Sequence, residues 1–210
     1  MHITVFGATG PAGKLVIRRA LDQGHRVTAY ARNPAKLDEL PGLHVVVGEL
    51  DDAAAVRTAV TGADAVISLL GPGRDKASIA PLVPGMQTII DQMTEAGTRR
   101  LVTTSTPSAP DPADRRDLRI KALVTGIRYG AGPAYRAIVA MAEVVRASTL
   151  DWTIVRLPLL HDKPLDAPAR ARQIGDSGGL RLSRTSLADF LIGEAEDATW
   201  VCQAPILADR

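Results

Sequence analysis

Aromatic residues make up only 3% of this 210-residue chain, too few to build the stacking surface on which single-stranded nucleic acids are held. A single cysteine, Cys202, permits no internal disulfide and points to a reducing compartment, the cytoplasm. The chain lacks a long apolar run and starts in a strand-like stretch without a basic leader. Neither a membrane span nor a secretory signal is therefore expected. An excess of one charge is missing too: 25 Lys and Arg against 23 Asp and Glu leave a formal +2. Arg99, Arg100, Arg115, Arg116, Arg119, Lys121 and Arg128 give the middle a basic bias, but Asp111, Asp114 and Asp117 interrupt it, so it reads as a solvated face. No His/Cys/Asp cluster has metal-ligand spacing and no GxSxG elbow occurs, so no metal site and no hydrolase nucleophile is expected.

What the chain does have is 46% hydrophobic residues in alternating strand-like and helix-like periods, enough for one sizeable core. The pattern predicts an α/β fold: a Rossmann-type, doubly wound, mostly parallel sheet with helices on both faces. It is expected as a single domain over residues 1–210, with a small C-terminal substrate-side segment near 157–185. Strands are expected over 2–6, 26–31, 43–47, 65–70, 101–104 and 152–156. Helices are expected over 13–23, 34–40, 52–60, 79–96, 115–125, 134–148 and 187–195. The last is opened by the capping-box pattern Ser186-Leu187-Ala188-Asp189. The stretch 106–113, with Pro107, Pro110 and Pro112, cannot be regular and reads as an active-site loop.

The most informative segment is Gly7-Ala8-Thr9-Gly10-Pro11-Ala12-Gly13, between the first strand and the first helix. A strand that ends in a glycine-rich bend and opens into a helix offers unpaired N–H groups and the positive end of the helix dipole to a pyrophosphate. Gly7 permits the turn, Gly10 lets phosphate approach the backbone, and Gly13 lets the helix close on the strand. Pro11 fits the first helical turn, where its missing N–H costs nothing. After the second strand, Tyr30-Ala31-Arg32-Asn33 offers an arginine where NAD-preferring sites place an acid for the ribose 2′-OH. Arg32 can fork onto a 2′-phosphate. The expected cofactor is NADP(H), with NAD(H) bound more weakly.

With these residues in place, the chain resembles the atypical short-chain dehydrogenase/reductase group, which includes NAD(P)H-binding NmrA-like proteins and the biliverdin-IXβ reductase/flavin reductase type. The matching segments run along nearly the whole chain: GATGPAGK at 7–14, ARNPAKL at 31–37, GELDD at 48–52, VISLLGPG at 66–73, LVTTST at 101–106, LDWTIVRLP at 150–158 and LSRTSLADF at 182–190. The resemblance implies an NADP-type cofactor across the carboxyl ends of the strands. Glu49 and Leu50 would lie near adenine, and Leu70, Gly71 and the residues to Gly73 beside the ribose and nicotinamide. Arg74 would add a phosphate or substrate contact.

The chemistry departs from that superfamily's pattern of a Tyr acid, a Lys four residues later and a Ser. Tyr135 occupies a plausible tyrosine position, but Val139 stands where the lysine belongs, and no lysine lies between Lys121 and Lys163. Without that cation nothing nearby stabilises a phenolate, so Tyr135 makes a poor proton shuttle at neutral pH. Hydride transfer to a conjugated acceptor such as a flavin, quinone or tetrapyrrole remains feasible, because its proton can come from solvent and orientation carries the catalysis. Ser105 and Thr106, at the end of the fifth strand, are candidates to hydrogen-bond the nicotinamide amide or the acceptor, with Tyr135 the third catalytic candidate. His161, after the sixth strand, could reach the substrate side. A non-catalytic NADP-binding redox sensor and a nucleotide-sugar epimerase or dehydratase are the alternative classes. The expected partner is a small conjugated acceptor, without nucleic acid or membrane, the chain acting as monomer or homodimer.

Overall fold

The computed structural model describes residues 1–73, 76–163 and 168–209. Its central strand is β1 (His2–Phe6), paired in parallel with β2 (Arg26–Ala31) on one side and β4 (Ala65–Ser68) on the other. β3 (Leu43–Val47) extends the β2 side, while β5 (Arg100–Ser105) and β6 (Asp151–Arg156) extend the β4 side. Strand order therefore reverses at β1, the point where open α/β sheets leave a crevice above their carboxyl ends. β10 (Ile206–Ala208) adds in parallel beside β6, and β8 (Arg170–Arg172) closes that edge antiparallel to β10. A two-stranded parallel ribbon, β7 (Leu159–His161) with β9 (Arg181–Ser183), lies outside this sheet.

The strands of a doubly wound sheet are apolar on both sides because both are covered. α1 (Pro11–Asp22) and α6 (Arg184–Asp197) cover one face, over Ile3, Val5, Ile67 and Val102. α2 (Ala53–Val60), α3 (Leu82–Ala96) and α5 (Gly132–Ala147) cover the other, over Phe6, Val66, Leu101 and Ile154. Each such fully buried aliphatic or phenyl side chain stabilises the fold by roughly 1.5–3 kcal/mol. A smaller cluster of Ile120, Ile174 and Ile206 seats α4 (Leu118–Gly130) beside the β10 edge.

Several expectations change: the helix expected over 79–96 starts only at Leu82, and the strand expected over 65–70 ends at Ser68. Residues 34–40 do not form a helix: only Pro34–Lys36 make a 3-10 turn, and Leu37 is extended. The segment is too short to repay helix nucleation before Pro41, and Asp38 is instead tied to α1 by Lys14 at 3.1 Å and Arg18 at 2.6 Å. The pattern at Ser186 is not a cap, because α6 begins at Arg184 directly after Ser183, which puts Ser186 inside the helix and leaves Asp189 3.5 Å from Arg19. α4 starts three residues later than expected, where the Asp117 carboxylate accepts from the N–H groups of Arg119 and Ile120. Among the described residues, no helix is long and apolar enough to cross a membrane.

Candidate active site

The turn after β1 builds the first wall of the crevice. Gly7 adopts φ 77°, and a Cβ there would stand 2.8 Å from the Leu69 carbonyl, so both conformation and space demand glycine. A Cβ on Gly13 would collide with the Gly7 carbonyl and the Ala8 backbone, which lets α1 close on the turn. Gly10 differs: the nearest atom to its Cβ position is the Gly7 oxygen at 3.4 Å, and the rest is open. Gly10 also caps α1 without any side-chain hydrogen bond, with Pro11 next and no acidic residue in the first turn. The N–H groups of Ala12 and Gly13 thus face an anion-ready helix end. A pyrophosphate fits that cradle.

From this turn the crevice runs in two directions. One half, a cavity of about 190 Å³, is lined by Gly7, Thr9, Arg32, Asn33, Lys36, Glu49, Leu50 and Leu70. Tyr30 shapes it from beneath: its hydroxyl donates to the Glu49 carbonyl at 2.6 Å, and its ring stacks obliquely on Phe6. Burial, followed by the nearby carboxylates Asp52, Glu49 and Asp51, pushes the Tyr30 phenol up to about 12. Leu50 leans on α3 where Gly85 leaves room, since a Cβ there would meet the Leu50 Cβ at 2.6 Å. Arg32, 70% exposed, stands 3.9 Å from Glu49 at the rim.

The other half, of about 290 Å³, shares Leu70 with the first and continues through Gly71, Thr103, Ser105 and Thr106 to Leu157, Pro158 and Leu160. Its roof is a stripe of α5, Ile138, Met141, Ala142 and Val145, at helical spacing. Thr106 accepts from the Ser108 N–H at 3.2 Å, and the Ser105 carbonyl accepts from the Leu157 N–H at 2.9 Å. None of the described residues lining this half carries an ionisable side chain.

The crevice therefore joins Gly7, Thr9, Gly10, Pro11, Ala12, Gly13, Arg32, Glu49, Leu50, Leu70, Gly71, Ser105 and Thr106. Tyr135 is not brought to it. It lies in the first turn of α5, before the roofing stripe begins, and lines a separate hollow with Arg128, Tyr129, Gly132 and Arg136. His161 also stands apart, its Nε2 2.7 Å from Asp209. Arg74 lies outside the described residues. Lys36 and the α5 stripe went unrecognised in the sequence, although Lys36 follows Arg32 by one turn's spacing and the stripe has the 3.6-residue period of a buried face.

The loop beside Ser105 and Thr106 is latched from below. Arg156 is fully buried, grips Asp114 at 2.6 and 2.7 Å, and donates to the Ala109 carbonyl, while Arg146 stands 3.5 Å from Asp111. Among the described residues no group of three or more His, Cys, Asp or Glu side chains is arranged to hold a metal.

Comparison with known proteins agrees with this fold. A 3-beta-hydroxysteroid dehydrogenase of Mycolicibacterium neoaurum is 30% identical over 118 residues, 51% of this chain and 32% of that one. The first curated relatives are longer chains, of which the matches span 12% to 32%. Among solved structures, the oxidoreductase ylbE of Lactococcus lactis superposes with a TM-score of 0.81 at 17% identity, covering 100% of this chain and 91% of that one. ChuY of Escherichia coli O157:H7, described as an anaerobillin reductase, gives 0.79 at 23% identity, covering 100% and 97%. The family model described as NAD(P)H-binding matches residues 7–198, so the chain belongs to that NAD(P)H-binding family.

Proposed function

We propose that this protein is an NADPH-dependent reductase that delivers hydride to a conjugated acceptor such as a flavin or quinone. The observation that carries the proposal is the second half of the crevice, here called the acceptor half, which is apolar and hydroxyl-lined, with no ionisable side chain among the described residues. A simple ketone needs a positioned acid as its oxygen gains charge, whereas a delocalised ring spreads that charge and takes its proton from water. On α5 the cleft-facing pairs four residues apart are Ile138 with Ala142 and Met141 with Val145. Neither is a Tyr–Lys pair, which argues against the epimerase or dehydratase alternative.

NADPH, when bound, supplies the hydride. Ser105 and Thr106 orient nicotinamide amide or acceptor, the α5 stripe excludes water, and the turn at Gly10 with the first N–H groups of α1 receives the pyrophosphate. The reading of 2′-phosphate preference rests on Arg32, whose guanidinium can fork onto a phosphate at the rim, with Lys36 on the same wall. Cys202 is exposed and unpaired, which suits a reducing cytoplasm.

Steady-state NADPH oxidation with FMN, FAD and small quinones tests the proposal. Turnover with at least one acceptor is expected. Tight NADPH binding with no turnover on any of them would overturn it in favour of an NADP-binding sensor.

A further inference from the structure

Four neighbouring strands place Phe6, Ser68, Thr103 and Ile154 in one row across the sheet, on the face that carries α3 and α5. Two of the four are hydroxyl residues. Thr103 is 3% exposed and lines the acceptor half, yet its hydroxyl has no hydrogen-bond partner among the described residues. Ser68, its register partner on β4, is fully buried and equally unpartnered. The register neighbour of Thr103 on β6 is the apolar Ile154, and Met86 and Met141 line the same cavity, none of which can accept or donate strongly. Buried polar groups are normally paired, and valine would fill a mid-strand position at no such cost.

Position links this hydroxyl to the chemistry. Successive side chains of a strand alternate between faces, so Thr103 shares a face with Ser105 and lies one step deeper below the carboxyl end of β5. A flat ring entering beneath α5 would pass Ser105 before reaching Thr103, the deeper of the two on this face. Among the described residues the floor's lining offers hydrogen-bond donors and no free cation, since Arg156, beside Ser105 in the register, is held by Asp114; it therefore suits an uncharged acceptor atom, and a carboxylate there would lose its hydration without a counter-charge.

Resting on the reductase reading, we propose that Thr103, backed by Ser68, is the subsite for an uncharged carbonyl oxygen of the acceptor, and that the substrate class is a neutral conjugated carbonyl compound of the quinone kind. The Thr103 hydroxyl donates to that oxygen, fixing the ring edge-on at the floor. Thr103 acts on acceptor choice, and NADPH is held elsewhere, at the glycine turn and the Arg32 rim.

The test compares Thr103→Val and Thr103→Ser with the unaltered protein, using a small naphthoquinone and a phenazinium dye that has ring nitrogens but no carbonyl. NADPH affinity by fluorescence titration serves as the folding control. Thr103→Val is expected to raise the naphthoquinone KM by about tenfold, the scale of one lost hydrogen bond, with the phenazinium KM unmoved and Thr103→Ser restoring the quinone value. Equal KM values for the quinone in all three proteins, or equal rises for both acceptors, would overturn the subsite. If the unaltered protein oxidises NADPH with neither acceptor, the reductase reading itself fails. Equilibrium binding of the naphthoquinone then decides the subsite alone: weaker binding to Thr103→Val supports it, and unchanged binding overturns it.

Discussion

Gly10 and Gly13 lie in the same turn, yet an added methyl group meets open space at the first and backbone at the second. Sequence spacing marked both as necessary; only the packing separates a functional need from a structural one. Gly10→Val is expected to leave the fold intact and abolish NADPH binding in a fluorescence titration, because the branched side chain occupies the approach to the helix end. Gly13→Ala is expected to lower thermal stability, since the Gly7 carbonyl cannot move without shifting β1. Arg32 is the second legible residue, being the first past the end of β2. Arg32→Ala should weaken NADPH binding by about tenfold, the scale of a lost charge-assisted contact, and leave NADH nearly unchanged in calorimetric titrations. Glu49→Gln should shift the ratio the other way, toward NADPH, by removing the carboxylate that competes for Arg32. Tyr135 was not legible in the same sense. The helix that carries it was legible, but where along its axis α5 crosses the crevice depends on packing against α3 and β6, which no local pattern encodes.

The elements bordering the crevice are held by two buried polar contacts with different chemistry. Under the loop after β5, Arg156 depends on Asp114 for its counter-charge. Removing one partner of such a pair leaves a charge stranded in the core, a loss of roughly 3 kcal/mol or more, so Asp114→Ala should lower the denaturant midpoint and also slow acceptor turnover as Ser105 and Thr106 lose their footing. Between β2 and the segment after β3, the Tyr30 phenol is raised from 10.0 to about 12 by burial and its carboxylate neighbours. A group that holds its proton more tightly when folded contributes stability that is complete below its unfolded value and lost as pH rises through the folded one. The loss from Tyr30 therefore falls between pH 10.0 and about 12, and Tyr30→Phe should flatten that limb of an alkaline unfolding series. These contacts were invisible in the sequence because each joins residues far apart in the chain. The strands themselves were legible, with β2 and β3 falling on their expected bounds, since alternation and flanking glycines are local signals. The expected helix at 34–40 failed for the opposite reason: a helical start signal at Pro34 had no room to propagate.

For the whole molecule, strand order reversing at β1 sets both halves of the crevice above one line of carboxyl ends, and the two hydrophobic cores on either side of the sheet hold that line rigid. This much followed from the alternation of strand and helix patterns with a glycine turn at the first junction. The short strands β7 to β9 did not, because three-residue elements carry no periodicity to detect. On the proposed reading, the acceptor half catalyses by orientation alone, with no acid among its described residues. The rate of NADPH oxidation by a small quinone, followed at its absorbance maximum across roughly pH 6 to 9 for the unaltered protein and Tyr135→Phe, tests it most directly. A nearly flat profile with the two proteins within a few fold of each other is predicted. A bell-shaped profile, or a loss of more than about a hundredfold on Tyr135→Phe, would show that a proton-donating side chain takes part and would contradict the claim.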